Sequence, residues 1–410
     1  MILSNRGDIL CRACDSRNLF SALDLGELPI ANELLQNPTH VDVFPLHLKI
    51  CGECGLGQIA EVVKPERLFR DYRYLSSISQ TFLIHAAKYV ENVLTSLDWK
   101  SDDWVLEIAS NDGYLLKNFL PHAIKVLGVE PAANVAAIAT KNGIPTISEF
   151  FCQELAEQIL ATHGYPRLII ANNVYAHVPN IQDFTAALST LMNERTLVSI
   201  ENPSIINFLD GLQFDAIYHE HYSYLSATSV SKLANRFNIH LNAVEQIPTH
   251  GGSNRYWLSK TYMHVNESVN NLISQEYSLG LLDPNKWNFF SKQVSMVLSD
   301  FKQFCLEAKS RGEVVAGYGA AAKASTLINA SRLGDDAIAF IVDESPEKIG
   351  WFMPNYSIPI VAQNKLISSR VSHIIIFPWN LAEEIGDKIR VSLGPEVLVW
   401  SAIPKLQRVN

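Results

Sequence analysis

The sequence predicts an α/β protein in three parts. These are an N-terminal zinc-binding module, a central Rossmann-like domain and a smaller C-terminal Rossmann-like α/β domain. Two Cys-x-x-Cys pairs stand near the front of the chain. A strand–turn–helix pattern, WVLEIASNDGYLLKNFL, occupies the middle and is followed by an acidic strand end. A second strand–glycine–helix pattern, EVVAGYGAAAKASTLIN, opens the last quarter. At 410 residues the chain is too long for one ordinary core, and the motifs suggest boundaries of 1–75, 76–290 and 291–410.

The first part rests on Cys11, Cys14, Cys51 and Cys54, with 36 residues between the two pairs. Two thiolates three positions apart on a tight turn can face one ion, and two such turns supply four sulfur ligands. A tetrahedron filled by sulfur has no open position, so the expected zinc is structural. Cys152 and Cys305 stand alone and read as apolar residues.

In the second part, Trp104 to Ile108 reads as a short strand, Ala109 to Gly113 as a tight turn and Tyr114 to Leu120 as a helix start. Glu107 precedes the turn, and Ser110, Asn111, Asp112 and Gly113 form it. A second strand, KVLGVEPA, ends in Glu130, placed to bind ribose hydroxyls. A third, RLIIANNVYAHVPN, ends in Asn172-Asn173. The turn reads E-x-x-x-N-D-G rather than G-x-G-x-x-G. That favours S-adenosylmethionine, with its cation and amino-acid tail, over a dinucleotide whose pyrophosphate needs free helix amides.

The third part carries Gly317, Tyr318 and Gly319, then Lys323, which offers a charge to phosphate. Strand-like runs ending at Asp343, in HIIIFPWN and in EVLVW alternate with helical stretches. The helical WNFFSKQVSMVLSDFKQFCLEAKSRG connects the second and third parts.

Composition narrows the function. Apolar residues make up 48% and charged residues 18%, as in a globular protein. The net charge of −9 without a basic stripe argues against nucleic-acid binding, so an anionic substrate needs a local basic pocket. No run reaches the roughly 18 apolar residues of a membrane helix. The opening MILSNRGDILCRACDS lacks the apolar core of a secretory signal. The expectation is a cytoplasmic protein with reduced thiols and no membrane partner. One stretch stands out, IYHEHYSY from Ile217 to Tyr224. Two histidines and a carboxylate so close make a metal site or a proton-transfer site, unless the cluster is only a polar wall.

The order of EIASNDGYLL, GVEPA, YHEHYSYLS, THGGSNR, GYGAAAKASTL, VDESPEKIGWFMP and FPWN behind the cysteine pairs resembles the deoxysugar C-3′-methyltransferases over nearly the whole chain. The resemblance implies a class I methyltransferase domain that binds S-adenosylmethionine. It also implies a nucleotide-linked 4-keto-6-deoxysugar substrate, on dTDP or GDP, and a monomer. The family's Y-x-E-H segment falls on Tyr218, Glu220 and His221, with His221 as base. A further active-site histidine falls on His177 and a tyrosine on Tyr72. His177 and the tyrosine hydroxyls are expected to donate to the enolate oxygen or the C3 hydroxyl. Candidate substrate contacts are Tyr74, Asn173, Asn254, Arg255, Tyr318 and Lys323. The chain departs from commoner family forms in GYGAAAK, with alanine where proline is frequent, and in IENPS. Methylation of oxygen or nitrogen, or sugar-nucleotide oxidoreduction, remains an alternative.

Overall fold

A computed structural model of the chain describes residues 9–38, 41–69, 75–78, 80–262, 266–334, 337–394 and 396–409. Strands β1 (Leu19–Pro29), β2 (Val43–Cys51) and β3 (Gly57–Ile59) form an antiparallel N-terminal sheet. On β2 every second residue is buried, so Phe44, Leu46, Leu48 and Ile50 line one face. The two cysteine turns flank this sheet. Their four sulfur atoms lie within 4.8 Å of one another, with Cys11–Cys54 at 3.5 Å and Cys14–Cys51 at 3.6 Å. Zinc–sulfur bonds of about 2.3 Å set tetrahedron edges of about 3.8 Å, so the donors fit that ion. All four thiols are free of disulfides.

The middle sheet begins with β4 (Trp104–Ile108), β5 (Lys125–Val129), β6 (Thr146–Ile147), β7 (Leu168–Asn172) and β8 (Leu197–Pro203), all parallel. The next strand in the chain, β9 (Ser223–Tyr224), leaves this sheet and pairs with β3 of the N-terminal one. The antiparallel hairpin β10 (His240–Ile247) and β11 (Ser253–Ser259) then returns to the middle sheet beside β8. The order β10-β11-β8-β7-β4-β5-β6 places the topological switch between β4 and β7, and ligands bind at the carboxyl ends of strands there.

The C-terminal sheet contains β12 (Val315–Tyr318), β13 (Ile341–Val342), β14 (Ile360–Val361), β15 (His373–Ile376), β16 (Leu398–Ser401) and the antiparallel β17 (Gln407–Arg408). Its order, β14-β13-β12-β15-β16-β17, repeats the doubly wound plan. The expected connecting helix is Pro284–Ser310, started by Asp283, whose side chain accepts from the Asn285 amide. This helix packs on β1.

The three parts do not have three separate cores. One apolar cluster joins Leu46 and Ile50 of β2, Phe208 and Phe214 of the middle domain, Phe301 of the long helix and Ile328 of the C-terminal domain. Leu35 and Phe352 also exchange backbone hydrogen bonds between the first and third parts. The Cys11–Cys14 turn is tied to the middle domain by Arg12. Its guanidinium donates to Tyr222 O at 2.5 Å and Ile59 O at 2.7 Å, bridging the carbonyls on both sides of the β3–β9 junction. Gln182 and Arg236 hold the same turn through Arg12 O and Ala13 O, and Lys232 holds Glu53 O on the second turn.

His219 docks the chain just before β9. A carbonyl only accepts, so His219 donates from Nε2 to Phe44 O at 3.1 Å. Burial lowers its pKa to about 4.

Arg12→Met keeps the aliphatic stem and removes both donations to buried carbonyls. We expect bound zinc to stay at the wild-type level and the melting temperature to fall by about 4–10 °C. An unchanged melting temperature would show that the clamp carries no stability. The native state keeps His219 neutral while the unfolded chain titrates it near its ordinary pKa of 6.5. Its contribution is therefore fully present above that pH and is lost as pH falls toward 4. His219→Gln should flatten the slope of melting temperature against pH in that window; identical slopes would refute the assignment.

Candidate active site

The turn after β4 forms the first half of the site. Ala109 at φ 55°, Asn111 at φ 51° and Gly113 at φ 78° bend it sharply. A Cβ on Gly113 would lie 2.8 Å from Ile144, so only glycine fits both the angle and the space. Glu130 holds the turn from the end of β5, accepting from Asn111 N at 3.0 Å and Ala132 N at 2.9 Å. Asn111 Oδ1 accepts from Ser76 N at 2.9 Å, which brings residues 75–78 over the turn.

Four buried polar atoms converge on these strand ends without a hydrogen-bond partner among the described residues: Glu107 Oε2, Ser110 Oγ, Asp112 Oδ1 and Asn172 Oδ1. Burial, then the charges of Asp112 and Glu130, raises the Glu107 pKa well above the carboxylate range. Burial likewise raises that of Glu130. An acceptor-rich pocket of this kind suits a cationic, hydroxyl-bearing guest, and S-adenosylmethionine supplies a sulfonium, an ammonium and ribose hydroxyls. A dinucleotide pyrophosphate would meet three carboxyl groups. The expected set of Glu107, Ser110, Asn111, Asp112, Gly113, Glu130 and Asn172 therefore gathers at one place and fits the methyl donor.

The second half is the YHEH segment. It lies between a short helix, Phe214–Ala216, and β9. His221 Nδ1 faces Ala216 O at 3.2 Å and must donate to it, which leaves the lone pair on Nε2. Tyr218 Oη lies 3.0 Å from that Nε2 and donates to it. His177 comes from the turn after β7, with its ring centroid 4.6 Å from that of His221. Its Nδ1 donates to Glu220 O at 2.7 Å. Burial lowers the His177 pKa to about 4, so the ring is neutral and its Nε2 accepts. This geometry differs from the expected donor role, because the available proton is committed to a carbonyl. Glu220 Oε1 accepts twice from Asn32, from the backbone at 3.1 Å and the side chain at 3.0 Å. Glu220 Oε2 is buried and has no partner among the described residues. Tyr72 and Tyr74 lie outside the described residues.

The remaining candidates are more scattered. Asn173 adopts φ 54° and donates its amide to Glu201 O at 2.7 Å. Arg255 is engaged by Glu201 at 2.5 Å and Glu245 at 2.6 Å and covers the Tyr89 ring. Its fork is thus occupied within the sheet rather than offered to an anion. Asn254 is buried and donates to Tyr256 Oη at 3.1 Å. Tyr318 Oη donates to Glu344 at 2.7 Å at the end of β12. The Lys323 ammonium lies 3.9 Å from the Trp379 ring centroid and donates to Asn380 at 3.3 Å. Burial lowers its pKa, partly offset by the Asp215 charge. Trp379 in turn donates to Asp215 at 2.9 Å. A Cβ on Gly251 would stand 2.3 Å from that indole, so Gly251 of THGGSNR seats Trp379, while its neighbour Gly252 packs against Asn207.

Arg12, Asn32, Ala216 and Asp215 had no sequence signal of their own. Three of them act across separations that no local pattern reports: Asn32 reaches Glu220 over 188 positions, Arg12 reaches Tyr222 over 210 and Asp215 meets Trp379 over 164. Ala216 is only five positions from His221 and contributes a backbone carbonyl, which its side-chain type does not announce.

The chain is 30% identical over 382 residues to C-methyltransferase NovU of Streptomyces niveus, covering 92% of this chain and 91% of that one. Three family models match in succession: a zinc binding domain over 11–69, a methyltransferase domain over 82–244 and a C-methyltransferase C-terminal domain over 248–397. Among solved structures, magnesium protoporphyrin IX methyltransferase of Synechocystis PCC 6803 is similar at 13% identity and TM-score 0.34, covering 48% of this chain and 89% of that chain. A SAM-dependent methyltransferase of Anabaena variabilis is similar at 14% identity and TM-score 0.34, covering 43% and 84%. No helix among the described residues is long and apolar enough to cross a membrane. The near full-length relative, the succession of domains and the two half-sites converge on one conclusion: this chain belongs to the zinc-binding, S-adenosylmethionine-dependent C-methyltransferases.

Proposed function

We propose that the chain methylates C3 of a nucleotide-linked 4-keto-6-deoxysugar through an enolate made by the Tyr218–His221 pair. The supporting observation is the fixed tautomer of His221, whose Nδ1 donates to Ala216 O and whose Nε2 accepts from Tyr218. Carbon methylation needs a carbon nucleophile, and a proton beside a carbonyl is acidic enough for a positioned base to remove. The Tyr218 hydroxyl already occupies the Nε2 lone pair. The shortest route therefore passes the C3 proton to the phenol oxygen as the phenol proton moves to Nε2. The C–H electron pair goes into the enolate, and His221 becomes cationic beside it. Glu220 Oε2 accepts from a sugar hydroxyl, and neutral His177 accepts from a second one through Nε2. When bound, S-adenosylmethionine supplies an electrophilic methyl group and departs as S-adenosylhomocysteine. Glu107, Ser110, Asp112, Glu130 and Asn172 hold the donor, and positioning the carbon against the methyl supplies much of the rate. Lys323 on its tryptophan meets the diphosphate, the local cation that an acidic chain requires.

The reading is tested with dTDP- and GDP-linked 4-keto-6-deoxysugars deuterated at C3, following methyl gain by mass. Wild type should release the deuterium and gain one methyl group. His221→Ala should bind S-adenosylhomocysteine as wild type does, within about twofold, yet turn over about 10²–10⁴-fold more slowly, with deuterium retained. Deuterium release from His221→Ala at the wild-type rate would remove the proposed base. Methyl transfer to oxygen with the deuterium kept would remove the carbon mechanism.

A further inference from the structure

Asn202 belongs to the IENPS stretch at the end of β8, and no role has been assigned to it so far. Its side chain is 1% exposed, and neither amide atom has a hydrogen-bond partner among the described residues. Buried asparagines normally find partners, so an amide with both ends open in a packed strand needs an explanation.

Its place in the sheet shows what it faces. On β8, Glu201 turns toward the helix Gln80–Ser96, where it meets His85 at 2.9 Å. Val198 and Ile200 turn the other way, into the core that contains Tyr175, Leu225 and Tyr256. By strand alternation Asn202 continues this second row, one step nearer the carboxyl end of the strand. Across the ladder it pairs with Asn254, whose amide reaches Tyr256 on the same face. Two residues on, Ser204 bridges Leu225, immediately after β9. The turn Tyr175–His177 packs against both β8 and β9. Asn202 therefore lies on the face, and at the strand end, where His177 and the YHEH segment meet the sheet.

We propose that Asn202 is a substrate-positioning residue, its amide hydrogen-bonding a hydroxyl or carbonyl oxygen of the polyoxygenated acceptor. An amide both donates and accepts, so it matches a hydroxyl in either sense. It carries no charge, which suits a site whose cationic guest is already served by Glu107 and Asp112. The inference rests on the sugar-methylating reading. Removing an unpaired buried amide leaves no new unpaired protein group behind, so an apolar replacement of similar size should not destabilise the fold. A polar group kept at the expense of stability is the mark of a functional position.

Asn202→Leu separates the possibilities with the same deuterated sugars, S-adenosylhomocysteine titration and thermal melts. We expect a melting temperature equal to or above that of wild type and unchanged S-adenosylhomocysteine affinity. Acceptor kcat/KM should fall by about 10–100-fold, since one lost polar contact to a bound ligand has roughly that weight. A kcat/KM within twofold of wild type would overturn the proposal, as would a loss confined to S-adenosylhomocysteine affinity. If Asn202→Leu does not fold, Asn202→Ala decides: wild-type kcat/KM in the folded alanine variant overturns the role, and a comparable loss upholds it. A wild-type enzyme inactive on every sugar would instead sink the sugar reading itself, and with it the acceptor named here.

Discussion

The pairing of Ser223–Tyr224 with Gly57–Gln58, clamped by Arg12 on the carbonyls of Tyr222 and Ile59, is the constraint on which the site depends. It draws the segment after His221 out of the middle sheet and into the sheet of the zinc module. His221 then has a fixed exit at β9 and a fixed entry at Ala216, where its Nδ1 is bonded. Four thiolates would close the coordination of a bound zinc and leave no open position for a substrate. The ion would then hold the turn that presents Arg12. Glu220 is held from the same side, since Asn32 follows β1.

Several of the buried polar groups without partners collect in the two halves of the candidate site. Among the described residues, buried unpaired atoms occur on Glu107, Ser110, Asp112 and Asn172 in the donor pocket, on Glu220 and Asn202 around the histidines, and elsewhere on Tyr89, Trp104, Ser199, Asp215, His219 and Ser223. Each costs about 1–3 kcal/mol while unpaired. A fold tolerates that where a ligand completes the bonds, and the two groups separate cleanly by chemistry. Acceptors crowd the pocket for a cationic donor, whereas the Glu220 carboxyl, the Asn202 amide and the neutral His177 imidazole surround the place proposed for the sugar. Burial keeps His177 uncharged beside His221, so the proposed proton transfer to His221 would not place two imidazolium ions side by side.

Local pattern carried much of this architecture. The cysteine pairs, the turn after β4, Glu130 and the second doubly wound sheet were legible because a short local motif announces each of them, even where its partner lies further along the chain. The YHEH segment was legible as chemistry but not as position: nothing in IYHEHYSY says that its last residues complete another sheet. The split at residue 75 overlooked that long-range pairing and the core shared by the first and third parts. Arg255 and Asn254 were candidates because their side chains suit a phosphate or a sugar. In the folded chain Gly251 seats Trp379, and Arg255 finds Glu201 on the neighbouring strand. IENPS stood out only as a departure from commoner family forms, with no reading of Asn202 itself; its burial and its open amide set it apart.

Hydrogen exchange across residues 217–226, with zinc bound and after its removal by a chelator, tests the mechanical coupling most directly. If zinc shapes the site through Arg12 and β9, residues 57–59 and 217–226 lose protection together on zinc removal, while β4 and β5 of the donor pocket keep theirs. Unchanged protection of 217–226 in the zinc-free protein would contradict it and leave the thiolate cluster without a part in positioning His221.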